Sequence, residues 1–284
     1  MFFLNPVGEQ LTDGRKSDMS KSYNNSIVTL AFGATMVNFM IYSSGQPIYP
    51  RERIINIIFG AVIVSVLCLM FKNLDLNNIA VKYTLSAIIS VKLMLTLFQI
   101  IKYYYVFYGS YTFSVIAFSV ISIVMAVKMD QYNLSNTYIF YLFVNVVLWM
   151  SVFMFSADKL NVINIYNIDA DFTLSCYGVY LFFDALPLSV LIPKGGRTAS
   201  QNKYIVLSAT AMVLLTLLQG LCIRGQLLYT LTPIQALFQI FSGKTVKRID
   251  YLFTILQTIN YFGAVTLYAF SVKHLVWRNK EVTY

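Results

Sequence analysis

Asp184 and Lys92 are the two residues with the most chemistry to offer, because each stands near the middle of an apolar run. Asp184 lies in "LFFDALPLSVLIP" (Leu181–Pro193), and Lys92 lies in "AIISVKLMLTLF". A charge at the centre of a lone membrane helix costs about 2.5–3.5 kcal/mol on the insertion scale, so both should face protein or water. A buried carboxylate suits an ammonium group, through charge matching and charge-assisted hydrogen bonds. That ammonium belongs either to a small zwitterionic ligand or to Lys92, in which case a pair joining two spans offsets the burial of both charges. Lys92 has other options. Its long stem can carry the charge to a headgroup or a carbonyl, or the ammonium can substitute for a transported ion.

The surroundings of Asp184 favour a site. Gly178 precedes it and Pro187 follows it, and Gly and Pro around a polar residue are the pattern of a broken membrane helix. A weaker version occurs in "LAFGATMVNFM", where Gly33 is followed by Asn38 and the segment leaves through "SSGQP" (Ser43–Pro47). Exposed backbone at such breaks is tolerated where it lines a cavity. The candidate ligand-binding residues are therefore Gly33, Asn38, Gly178 and Asp184, with Lys92–Asp184 as a possible ion pair.

The elements that must position these residues are membrane helices. The chain has 284 residues, 58% apolar and 12% charged, where soluble domains carry about 25% charged residues. Eight apolar runs are expected as spans, at about 26–43, 54–71, 79–101, 106–127, 136–156, 172–192, 203–223 and 250–273. The fold class is all-α integral membrane, without the alternation that would favour a barrel. The polar stretch 1–25 is expected as a cytoplasmic tail, 26–275 as the multi-span domain, and 276–284 as a second tail. The N-terminal stretch lacks the pattern of a signal peptide, so insertion is expected through the first span with nothing removed.

Charge fixes an expected orientation. Leaving out Lys92, twelve basic residues, among them Arg15, Lys16, Lys128, Lys203 and Lys273, fall on the side holding both termini. Eight, among them Arg51, Lys102, Lys159 and Arg248, fall on the other, which places both termini in the cytoplasm. The net charge of +9 is spread over these loops, which argues for anionic lipid rather than nucleic acid. Tyr103, Tyr104, Tyr105, Tyr108 and Tyr111 crowd one span end, where amphipathic rings favour the headgroup level. In the last long loop Ile234, Leu237, Phe238 and Phe241 fall at helical spacing opposite Gln235 and Gln239, as in an amphipathic helix. Cys68, Cys176 and Cys222 lie in apolar segments without ligand spacing and read as packing residues. With one histidine, His274, the sequence shows no metal cluster and no nucleophile–base pair, so neither an enzyme nor a cofactor is expected.

The second half also resembles a known family. "LFFDALPLSVLIP", a basic loop, an apolar span and then "LLYTLTPIQALFQIFSGKTVKRIDYLFTI" are similar to the B subunits of spore-germination receptors. These GerAB-type permeases belong to the amino acid–polyamine–organocation transporter superfamily. The loop proline falls at Pro233, and the basic-acidic element opening the last span at Arg248-Ile249-Asp250. "VKMDQYNLSNTYIFYLF" and "FSADKLNVINIYNI" resemble the family's stretches before spans five and six, so the likeness covers roughly 105–275. Members usually have ten spans, so the resemblance implies a truncated LeuT-type inverted-repeat core. It implies recognition of a small nutrient, such as an amino acid, at the span one–span six break. It further implies partnership with A- and C-type subunits, or a homo-oligomer, in a cell or spore inner membrane. A secondary amino acid transporter and a transport-inactive assembly subunit are the alternatives.

Overall fold

The computed structural model describes residues 7–41, 50–70, 76, 78–109, 112–157, 160, 177–222, 235 and 249–277. Among them every regular element is helical: α1 Val7–Ile41, α2 Pro50–Met70, α3 Ile79–Tyr108, α4 Thr112–Lys128, α5 Gln131–Asn136 and α6 Tyr138–Ser156. Then follow α7 Tyr177–Leu181, a 3-10 turn at Phe182–Asp184, α8 Ala185–Leu191, α9 Lys194–Cys222 and α10 Ile249–Trp277. Helices satisfy their own backbone groups, which is what a hydrocarbon solvent demands. Hydroxyls within the helices do the same, Ser119, Ser151 and Thr216 each donating to the carbonyl four residues back.

Among the described residues four helices are long and apolar enough to cross a membrane: within α2, α3, α9 and α10 these stretches are Arg51–Met70, Ile79–Tyr105, Lys194–Cys222 and Thr254–Trp277. Phe113–Lys128, Tyr138–Met154 and Gly178–Leu191 are shorter apolar helices. Val62, Met94, Phe98, Phe143, Met150 and Val206 point outward as a belt of exposed apolar side chains, the surface a bilayer covers. The chain is a multi-pass membrane protein whose regular elements, among the described residues, are all helical.

α1 is the hub. It packs against α9, α10 and α6, and every residue from Ser26 to Met40 is buried. A helix wrapped in protein can carry Ser26, Thr35 and Asn38 without meeting lipid. Polar contacts tie the helices to one another. Lys203 Nζ donates to Asn25 Oδ1 at 3.1 Å, joining the first half of α9 to the middle of α1. Lys273 Nζ donates to the Met129 carbonyl at 2.6 Å, placing a cation at the C-terminal end of α4, where it is favoured. Cys222 on α9 reaches the Ser156 carbonyl on α6.

Several expectations change. α1 is helical without interruption through Gly33 and already from Val7, so no break occurs in the first span. Pro187, by contrast, follows the expected interruption, a 3-10 turn at Phe182–Asp184 that separates α7 from α8. It lacks the N–H that would serve the Phe183 carbonyl, and the chain tightens into the 3-10 turn. At Ala185 backbone N–H donation reaches Phe182 O and Phe183 O. α8 stops at Leu191 because Ile192, preceding Pro193, is extended at φ −90° and ψ 131°. Tyr103 and Tyr104 are buried, turned from the headgroup level toward α10, whereas Tyr105 is exposed. The amphipathic stretch around Ile234–Phe241 lies outside the described residues except for Gln235, as do Pro233, Arg248 and Cys176.

Candidate functional site

Asp184 ends the 3-10 turn, fully buried, and gathers donors from several helices. Thr35 Oγ1 donates to its Oδ2 at 2.9 Å, and Asn38 Nδ2 approaches the same oxygen at 3.4 Å. The two fall three residues apart on α1 and so share a face. Tyr268 on α10 donates to Oδ1 at 2.5 Å. The outer layer is ordered by donor count. Thr35 has spent its proton, so the Tyr204 hydroxyl at 2.6 Å is the donor to it. Asn38 gives its second N–H to Tyr268 at 3.2 Å and accepts from Thr96 Oγ1 at 3.3 Å.

Lys92, on α3 one turn before Thr96, is 4% exposed. Its ammonium donates to the Tyr180 carbonyl at 3.1 Å and sits 3.6 Å from the centre of the Tyr180 ring. It stands 3.9 Å from Asp184 Oδ1, inside ion-pair range and beyond a direct hydrogen bond. Two of the options open to a buried lysine are thus met at once, a carbonyl and the carboxylate. Asn38, Lys92 and Asp184 were legible in the sequence, and the fold brings these three together. Thr35, Thr96, Tyr180, Tyr204 and Tyr268 were missed. Thr35 and Thr96 carried a signal, each a polar residue one turn from a named one.

The two glycines belong elsewhere. Gly178 lies against the backbone of α2, where an added Cβ would stand 1.8 Å from the Asn56 carbonyl oxygen and 3.2 Å from Gly60 Cα. It is a small residue at a helix crossing. Gly33 faces Asn260, whose Oδ1 would be 3.0 Å from an added Cβ. Asn260 Nδ2 donates to Asn145 Oδ1 at 3.0 Å, and Asn145 Nδ2 returns the contact at 3.4 Å. Gly33 therefore serves a neutral amide pair rather than the carboxylate. A groove of about 410 Å³ opens between α6 and α9 over Phe32 of α1, and its walls are mostly apolar, as at Val146, Met150, Leu207 and Leu214, with Thr29, Asn145 and Thr210 but no charged residue among them.

None of the protein families, curated proteins or solved structures compared with the chain matches it.

Proposed function

We propose that this chain is the membrane subunit of a nutrient receptor of the germinant-receptor kind. In this reading it recognises the ammonium group of a small nutrient, such as an amino acid, at Asp184. The observation carrying the reading is the state of that carboxylate: it is fully buried, oriented by Thr35, Asn38 and Tyr268, and faced by a cation that does not hydrogen-bond to it directly. Lys92 holds the ammonium position when no ligand does, anchored by Tyr180 rather than by the carboxylate. A ligand ammonium then displaces Lys92 and reaches a carboxylate that is already positioned, which lowers the ordering cost of binding. The transporter-like core, the A- and C-type partners and the spore inner membrane belong to the same proposal and rest on the motifs from "LFFDALPLSVLIP" to Arg248-Ile249-Asp250.

A transport-inactive assembly subunit is the second reading. It is favoured by the fact that Asp184 already accepts from three side chains and has its counter-ion. The double variant Asp184→Asn/Lys92→Met separates the two. Removing both charges of a buried pair can be neutral for stability, so the double variant should accumulate at the normal level. Ligand recognition at Asp184 requires that its nutrient response be lost. A normally abundant double variant with a normal response overturns the proposal and favours the assembly role. Nutrient flux in reconstituted vesicles distinguishes a secondary transporter from both.

A further inference from the structure

About two turns beyond the charged centre lies a small cavity of about 10 Å³, room for about one water, between α1, α3 and α10. Gln257 projects from α10 into its wall, 4% exposed, and neither its Oε1 nor its Nε2 has a partner among the described residues. A primary amide buried without partners at membrane depth is a standing cost, which a bound water relieves. A water there finds enough company. Tyr104 donates to Thr258, Thr258 donates to the Thr254 carbonyl and Tyr261 donates to Ser119, so the Tyr261 oxygen keeps acceptor capacity beside the Gln257 amide.

The cavity is in register with the site. Ile41 and Ile100 line it, three residues from Asn38 on α1 and four from Thr96 on α3. Tyr261 precedes Tyr268 by seven residues, about 10 Å along α10. On the α1 and α3 side, Ile41 and Ile100 therefore stand between the cavity and the chain of hydrogen bonds Thr96–Asn38–Tyr268–Asp184, with buried Ala264 and Val265 between Tyr261 and Tyr268 on α10.

We infer that the Gln257 cavity is a water site and the outer step of a hydrated route between α1, α3 and α10 to Asp184, gated by Ile41 and Ile100. The inference rests on Asp184 being the ligand site, but its test does not use the ligand. In full-length protein with Cys68→Ala, Cys176→Ala and Cys222→Ala, single cysteines are placed at Gln257, at Thr258 as a second reporter of the same cavity, and at lipid-facing Val62. The probe is aminoethyl methanethiosulfonate, a small thiol reagent that carries an ammonium group, applied from each face of sealed vesicles. Thiolates react in water and hardly in hydrocarbon, so Gln257→Cys or Thr258→Cys should label at least about 10-fold faster than Val62→Cys. Thr96→Cys should label slowly, and about 10-fold faster once Ile100→Ala opens the gate, with Ile100→Val giving a smaller gain. Cavity cysteines that label no faster than Val62→Cys overturn the water site. A Thr96→Cys rate indifferent to Ile100→Ala and Ile100→Val overturns the route. Either result leaves the Asp184 proposal to be judged by the nutrient response of the double variant.

Discussion

Two polar centres lie along α1, five residues apart, and they meet the cost of burial in different ways. At Gly33 the carboxamides of Asn145 and Asn260 exchange hydrogen bonds across α6 and α10, and two side chains suffice. At Asn38 the carboxylate of Asp184 needs Thr35, Asn38 and Tyr268, a second layer of Thr96 and Tyr204, and a cation from α3. A neutral pair is closed once its members face each other. A charge recruits groups from α1, α3, α9 and α10, and that convergence suits a centre whose cation can be exchanged.

The contrast should be plain in stability. Asp184→Asn alone strands the Lys92 ammonium, and breaking a buried pair costs about 3–5 kcal/mol. Asn260→Leu removes interhelical hydrogen bonds whose measured worth in membrane proteins averages about 0.6 kcal/mol and reaches about 1.7. Thermal unfolding in detergent, with abundance in the membrane as a second readout, should rank the variants in that order, and Lys92→Met should rescue only the first. Equal losses would mean that the charged centre is an ordinary polar contact.

The glycines sharpen the comparison at the level of backbone. Gly178→Ala puts a Cβ against the Asn56 carbonyl and Gly60, atoms of main chain that cannot rotate away. α2 must move, a strain of the overpacking kind, about 1–3 kcal/mol. Because α7 leads directly into the turn that carries Asp184, nutrient response should weaken along with thermal stability. Unchanged stability for Gly178→Ala would show that the α2–α7 crossing is looser than the structure has it.

Among the described residues, apolar run length was enough to locate the four helices that can cross a membrane, because in lipid the backbone has few alternatives. The sequence also singled out Asp184, Lys92 and Asn38, which the fold brings together, since a polar residue inside such a run must find protein. What it hid was partner identity. Tyr204 and Tyr268 read as apolar aromatics, and only the crossing of α9 and α10 with α1 turns their hydroxyls toward Thr35 and Asp184. The glycines misled for a related reason. Glycine marks a break or a close approach equally well, and the choice depends on what lies opposite. Opposite Gly178 and Gly33 lie the α2 backbone and Asn260, which no local pattern records.

The smallest expected effect belongs to Gly33→Ala, where two terms oppose each other. Alanine in a continuous helix gains about 0.5–1 kcal/mol over glycine. Against this, the new Cβ stands 3.0 Å from Asn260 Oδ1 and 3.3 Å from Asn260 Cγ, tight contacts but with a side chain that can shift. Shifting it lengthens the bond to Asn145, so the gain and the loss should nearly cancel and the single variant should unfold within about 0.5 kcal/mol of the parent. Shortening the opposing residue removes the second term alone. In an Asn260→Ser background Gly33→Ala should therefore stabilise by about the full helix-propensity gain, a difference from the near-zero single effect measurable by thermal unfolding of the four proteins in one double-mutant cycle. If Gly33→Ala is strongly destabilising in both backgrounds, the crowding comes from something other than Asn260. Gly33 would then be a backbone position required by the packing of α1, and the neutral centre would be as demanding as the charged one.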